Sequence, residues 1–96
     1  MARVVVARAA SEDLDQLIQS LDLPPNTRER VKARLKQLSR FPRRGPELEG
    51  RWLGFRFVLG PWPWMLIVYA FDEEADRVSV ATIQDSRSAR SATSDW

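Results

Sequence analysis

Neither cysteine nor histidine occurs anywhere in the 96 residues of this chain. Without cysteine there is no disulfide framework, no thiolate nucleophile and no Cys-based zinc site. Without histidine, imidazole acid–base chemistry, Ser-His-Asp triads and the commonest metal ligand drop out together. Catalysis, if there is any, falls to carboxylates, the single tyrosine Tyr69, Lys32, Lys36 or arginine, and arginine does not act as a base at ordinary pH. No metal and no other cofactor is expected. Long apolar runs are missing too. The longest uncharged stretch, Phe57 to Phe71, is interrupted by Gly60, Pro61 and Pro63 and falls short of a membrane span. The N-terminal "MARVVVAR" is too short for a signal peptide. A soluble, cytoplasmic protein without a membrane partner is expected, and the length allows one domain, residues 1–96.

The formal net charge is only +2, but the charges are unevenly placed. Residues 28–56 carry ten Lys/Arg (Arg28, Arg30, Lys32, Arg34, Lys36, Arg40, Arg43, Arg44, Arg51, Arg56) against three Glu, a net of +7, between acidic flanks. A basic middle of this kind points to an anionic partner, either nucleic acid or an acidic protein.

The periodicities predict two helices and four strands. "RVVVAR" (3–8) reads as a first strand. Ser11 before Glu12 and Asp13 reads as an N-cap, and Leu14, Leu17, Ile18 and Leu21 share one face of a helix ending near Asp22. "LPPN" stops it. Asn26 and Glu29 have the spacing of a capping pair for a second helix buried through Val31, Leu35 and Leu38. Its opposite face carries Arg28, Lys32 and Lys36 at i, i+4, i+8, where like charges repel slightly. "SRFPRRGPELEG" (39–50) reads as a loop. "RWLGFRFVLG" alternates, which predicts a strand with Leu53, Phe55, Phe57 and Leu59 on the core and Trp52, Arg56 and Val58 opposite. "GPWP" reads as a hairpin connection, and "WMLIVYAF" as a central strand covered on both faces. An acidic turn, "DEEAD", leads to a last strand, "RVSVATI" (77–83). Residues 85–96 read as a polar, mobile tail. The fold class is therefore α+β: two N-terminal helices packed on a small, mainly antiparallel sheet, in the order β-α-α-β-β-β.

Several residues stand out in that order. Leu38 ends the second helix before Pro42, and Leu48-Glu49-Gly50 precedes the second strand. Ile67-Val68-Tyr69 runs into the acidic turn Asp72-Glu73-Glu74. With these motifs the chain, from residue 3 to about 90, resembles the RelE/ParE superfamily, the toxins of type II toxin–antitoxin (plasmid stabilization) systems. The resemblance implies a growth inhibitor neutralised by a cognate antitoxin, a partner whose partly disordered segment folds along the basic, aromatic surface.

The RelE branch implies a metal-independent, ribosome-dependent mRNA endonuclease, an RNA-binding mRNA interferase with basic residues on the phosphate and a general base and acid. Carried over residue by residue, Arg56 stands where a strand lysine is expected. Val58 and Leu66 replace two further basic positions. Arg87 or Arg90 matches a terminal arginine, with Trp96 in place of an aromatic beyond it. Glu47, or Glu49, matches a loop base. Tyr69 is either a proton donor or a core tyrosine with a hydrogen-bonded tip. The ParE branch implies instead a non-catalytic inhibitor of DNA gyrase, and a non-toxic antitoxin-binding remnant fits the same residues. Candidate antitoxin- or nucleic-acid-binding residues are Arg28, Lys32, Lys36, Arg40, Arg43, Arg44, Trp52, Trp62 and Trp64; indole is well suited to anchoring a partner.

Overall fold

The computed structural model describes residues 1–88 and 91–93. Its elements are β1 (Arg3–Val6), α1 (Arg8–Ser20), α2 (Thr27–Arg40), a 3-10 turn (Gly50–Trp52), β2 (Arg56–Leu59), β3 (Met65–Asp72) and β4 (Arg77–Asp85). The four strands form one sheet in the order β1-β4-β3-β2. β1 lies parallel to β4, and the other pairs are antiparallel. The expected order and the mainly antiparallel sheet are both present.

Each of the first three elements is tied directly to a neighbour. The Ala7 N–H donates to the Val80 carbonyl at 3.0 Å, so the strand passes into α1 without a loop. The helix therefore begins at Arg8, and Ser11, the expected N-cap, lies inside it. Leu21 falls one residue past the helix and is exposed, because the chain turns at Asp22, whose φ is 51°. Asp tolerates that left-handed conformation better than most residues. At α2, Asn26 occupies the cap position but its side chain makes no capping bond. Thr27 is buried instead, and its hydroxyl donates to the Pro24 carbonyl at 2.7 Å. The far end of α2 is pinned to the start of β1, where Ala2 N–H donates to Ser39 O and the Ser39 hydroxyl donates to Ala2 O.

β3 is buried through five consecutive residues, Met65 to Tyr69. Its alternation divides them between two apolar clusters. Met65, Ile67 and Tyr69 join Leu14 of α1, Val31, Leu35 and Leu38 of α2, and Val78, Val80 and Ile83 of β4. Leu66 and Val68 face the other way, onto Leu48 and Ala92, with Trp52, Phe55 and Phe57 packed around them. The register between β3 and β4 shifts at Val68/Tyr69, so that Ala81 is an extra residue. This bulge moves β4's helix-facing positions from 78 and 80 to 83. Beyond Val80 the outer edge of β4 has lost β1, and Asp13 of α1 covers it, accepting bonds from the Thr82 hydroxyl and Ile83 N–H.

Residues 51–60 differ from the predicted long strand. The segment starts in the 3-10 turn, which ends at Trp52, Gly54 has φ 93°, and Leu53 is 77% exposed. That φ suits glycine alone and breaks the extended run. The two faces are also exchanged. Phe55 and Phe57 fill the smaller cluster together with Trp52, while Val58 packs against the helices and Arg56 shares its side. Alternation specifies which residues are neighbours on a face, but not which face the helices will cover. Within 85–96, Ser91 and Ala92 are buried, and Ala92 N–H donates to the Gln84 side-chain oxygen at 2.7 Å.

Candidate functional site

Three of the sequence-derived site residues meet around one glycine. Arg56 of β2 and Tyr69 of β3 are cross-strand partners. The Arg56 guanidinium donates to the Gly45 carbonyl at 2.8 Å, to the Arg43 carbonyl at 3.4 Å and to the Glu47 carboxylate at 3.0 Å. The Tyr69 hydroxyl accepts the Gly45 N–H at 3.1 Å. A Cβ on Gly45 would stand 2.1 Å from the Phe57 carbonyl oxygen and 3.0 Å from the Tyr69 hydroxyl. The loop therefore enters the sheet at a point where only glycine fits, and Arg56 and Tyr69 hold both of its backbone groups. Glu47 pairs by an isolated bridge with Arg56, which continues this loop along the outer edge of β2.

The electrostatics follow from burial. Tyr69 is fully buried, and desolvation raises its pKa above the usual tyrosine value; the Gly45 hydrogen bond and the Arg56 charge offset this only in part. The hydroxyl is neutral and inaccessible. Glu47 is largely exposed beside the partly buried Arg56, and both line an open depression with Arg43, Phe71 and Glu73. Arg43 is paired with Glu73 and lies over the Phe71 ring at 5.3 Å.

Arg87 is elsewhere. β4 ends at Asp85, which pairs with Met65, the first residue of β3, whereas Tyr69 lies at mid-strand. Four residues of strand, about 13 Å, separate the two levels. Arg87 makes a bidentate pair with Asp85 at 2.9 and 2.8 Å and lies over the Trp64 ring at 4.9 Å. That pair holds the Asp85 carboxyl below the ordinary carboxylate range. Trp64 stacks on Trp62, with centroids 6.1 Å apart and planes at 20°, and Arg30 of α2 lies over Trp62 at 4.6 Å. The hairpin tryptophans thus sit inside an Arg30–Trp62–Trp64–Arg87 stack. Trp52 is separate, edge-on to Phe55 at 5.7 Å, with its indole Nε1 buried and unpartnered among the described residues. Arg90 and Trp96 lie outside the described residues.

On α2, Arg28 is paired with Asp15 of α1, whereas Lys32, Lys36 and Arg40 are exposed. Arg44 is exposed and reaches the Gln37 side chain at 3.4 Å. Of the two positions where basic residues are replaced, Val58 packs on the helix-side cluster and Leu66 is buried in the other. Gly45, Arg30 and Asp85 were not legible as site residues. "RRGPE" reads only as loop punctuation, the partner of Arg30, Trp62, comes from a distant segment, and nothing in the sequence marks Asp85 as the partner of Arg87 two residues on. Among the described residues no helix is long and apolar enough to cross a membrane, and no three His, Cys, Asp or Glu side chains are grouped to hold a metal.

No protein-family model and no curated protein matches the chain. Solved structures do. The toxin–antitoxin complex RelBE2 of Mycobacterium tuberculosis is 23% identical, with a TM-score of 0.62 over 88% of this chain and 96% of that one. A copper-bound mutant toxin of Helicobacter pylori is 17% identical, with a TM-score of 0.61 over 88% and 94%. A conserved hypothetical protein of Helicobacter pylori is 16% identical, with a TM-score of 0.59 over the same shares. At such identities the likeness is one of architecture, and two helices on a four-stranded mixed sheet in the order β-α-α-β-β-β make this a RelE-like toxin fold.

Proposed function

We propose that the chain is the toxin of a type II toxin–antitoxin system, acting in the cytoplasm, held in check by a cognate antitoxin and arresting growth by binding its target rather than by cutting RNA. The fold supports the first part, as does the first neighbour's solution as a toxin–antitoxin complex. One observation carries the second part. Arg56 and Tyr69 are both committed to the backbone of Gly45, and Tyr69 is wholly buried. A transition state for phosphodiester cleavage needs donors aimed at the phosphate and an acid within reach of the leaving oxygen. Here one donor is occupied, the acid is out of reach, and Arg87 is at the other end of the β2–β3 pairing, neutralised by Asp85.

A second reading keeps the nuclease. The exposed Glu47 carboxylate beside Arg56, at the open depression, is a base next to a cation. Induced expression, with and without the antitoxin, combined with a ribosome-containing translation reaction on labelled mRNA, separates the two. Binding-only action gives growth arrest relieved by the antitoxin, with the mRNA intact, and directs the search for a target to ribosome occupancy and gyrase supercoiling. Site-specific cuts lost in Glu47→Gln overturn it in favour of the nuclease. Absence of arrest, with antitoxin binding retained, identifies a non-toxic remnant.

A further inference from the structure

We infer that the outer edge of β1 is the contact through which two copies of this chain pair, antiparallel and across a two-fold axis at Val5. The sheet has two edge strands, β1 and β2. The chain covers the β2 edge itself: Leu48 N–H donates to Phe55 O, Phe57 N–H donates to Pro46 O, and Glu47 forms a bridge with Arg56. Among the described residues nothing comparable covers β1. Its odd residues face β4, as the bonds from Arg3 N–H to Asp76 O and from Ala7 N–H to Val80 O show. Backbone direction alternates along a strand, so residues 2, 4 and 6 turn their N–H and C=O groups outward. Ser39 takes both groups of Ala2. Among the described residues, those of Val4 and Val6 have no partner.

The side chains fit the same reading. Met1, Val5 and Val6 are exposed, and they lie along this one edge. A row of uncovered apolar groups beside unpaired backbone is what strand addition uses. β1 also has none of the devices that keep an edge from pairing: no proline, no charge between Arg3 and Arg8, and no bulge in its register with β4. The occupant follows from the spacing of the open groups. An antiparallel partner bonds fully only where each outward residue meets another of the same kind. With a second copy of β1, the register that sets Val5 opposite Val5 of the second copy also sets Val4 opposite Val6 and Val6 opposite Val4. Each of those two pairs exchanges both hydrogen bonds, so every open group is satisfied. Arg3 then faces Ala7, and Arg8 faces Ala2, which keeps the cations of the two copies from lying directly opposite each other. The strand is its own complement, which is the condition for a closed two-fold dimer. The two four-stranded sheets become one, with the helices of both copies on the same side.

This pairing does not rest on the toxin reading, because association of the purified chain is measured without antitoxin or target. Sedimentation velocity at rising concentration should show a monomer–dimer equilibrium. Val5→Lys sets two like charges against each other at the axis and should weaken the dimer about tenfold or more. Leu53→Lys, at an exposed leucine elsewhere, should leave it unchanged, and circular dichroism confirms that each variant is folded. The chain has no cysteine, so an introduced thiol reports the register by itself. In a glutathione redox buffer Val5→Cys should give a disulfide-linked dimer, since a directly opposed, non-hydrogen-bonded pair holds its Cα atoms about 4.5 Å apart. Val6→Cys should not, because its counterpart lies two residues along the second strand, roughly 8 Å away and beyond disulfide reach. A chain that stays monomeric leaves the edge to a strand of another protein and overturns the proposal, as does a dimer indifferent to Val5→Lys. Cross-linking through Val6→Cys in place of Val5→Cys overturns it too.

Discussion

Arginine stands beside an aromatic residue at both ends of the β2–β3 pairing, on opposite terms. At one end Arg56 and Tyr69 are strand neighbours directed onto the two backbone groups of Gly45, with the tyrosine fully buried and no space for even a methyl group. At the other, Arg30 and Arg87 lie over the rings of stacked Trp62 and Trp64, which are half-buried. The first arrangement satisfies buried backbone groups and has no slack. The second adds contact area among groups that remain hydrated. The same pair of residue types is obligatory in one place and adjustable in the other, and burial makes the difference.

The sharpest way to break this comparison is Gly45→Ala. Its Cβ meets the β2 backbone, which cannot yield without disturbing the sheet, so a loss of about 3 kcal/mol or more is expected in urea unfolding. A near-neutral result would mean that the loop is not clamped. Tyr69→Phe comes next, leaving the Gly45 N–H unpaired in a buried position, at about 1–3 kcal/mol. It also carries a pH signature. The native pKa of Tyr69 is raised, so its contribution is fully present below the unfolded value of about 10 and is lost as pH rises through the native one. Because Tyr69 is the single tyrosine, phenolate absorbance should appear only with alkaline unfolding. The smallest expected effect is that of Arg87→Ala. The unfolding midpoint should barely move at physiological salt, while the Asp85 pKa returns upward toward the ordinary carboxylate range in an NMR titration. The matching part of the stability is present above the unfolded Asp value of about 3.9 and is lost on acidification through the native one. A large loss of stability in Arg87→Ala would make the two ends of that pairing alike.

Periodicity made much of the fold legible. Leu14 on α1, Val31, Leu35 and Leu38 on α2, and the doubly covered β3 are buried as their spacing requires. Helix and strand periods record which residues share a side, because side chains project at fixed angles from the backbone. The misreadings come where non-local contacts decide. Ser11 was displaced as a cap because Val80, distant in sequence, binds Ala7 and starts the helix early. The 51–60 segment changed face because the helices cover the Val58 side, which alternation does not specify. Among the candidate site residues, Arg56, Glu47 and Tyr69 lie together around Gly45, whose role depends on the approach of another strand and is not visible in the sequence.

Composition and spacing are enough to limit the reactive groups and to establish the order of elements. The absence of cysteine and histidine restricts the reactive groups, and the apolar periods establish two helices and a central strand, since both depend only on local composition and spacing. Tertiary structure alone decided what the arginines are for. Whether a guanidinium is occupied by a backbone carbonyl (Arg56), neutralised by a carboxylate (Arg28 and Arg43) or left open beside an exposed ring (Arg40) is a matter of which distant groups lie within a few ångströms. A charge is worth what its surroundings leave unpaired, and those surroundings exist only once the chain has folded.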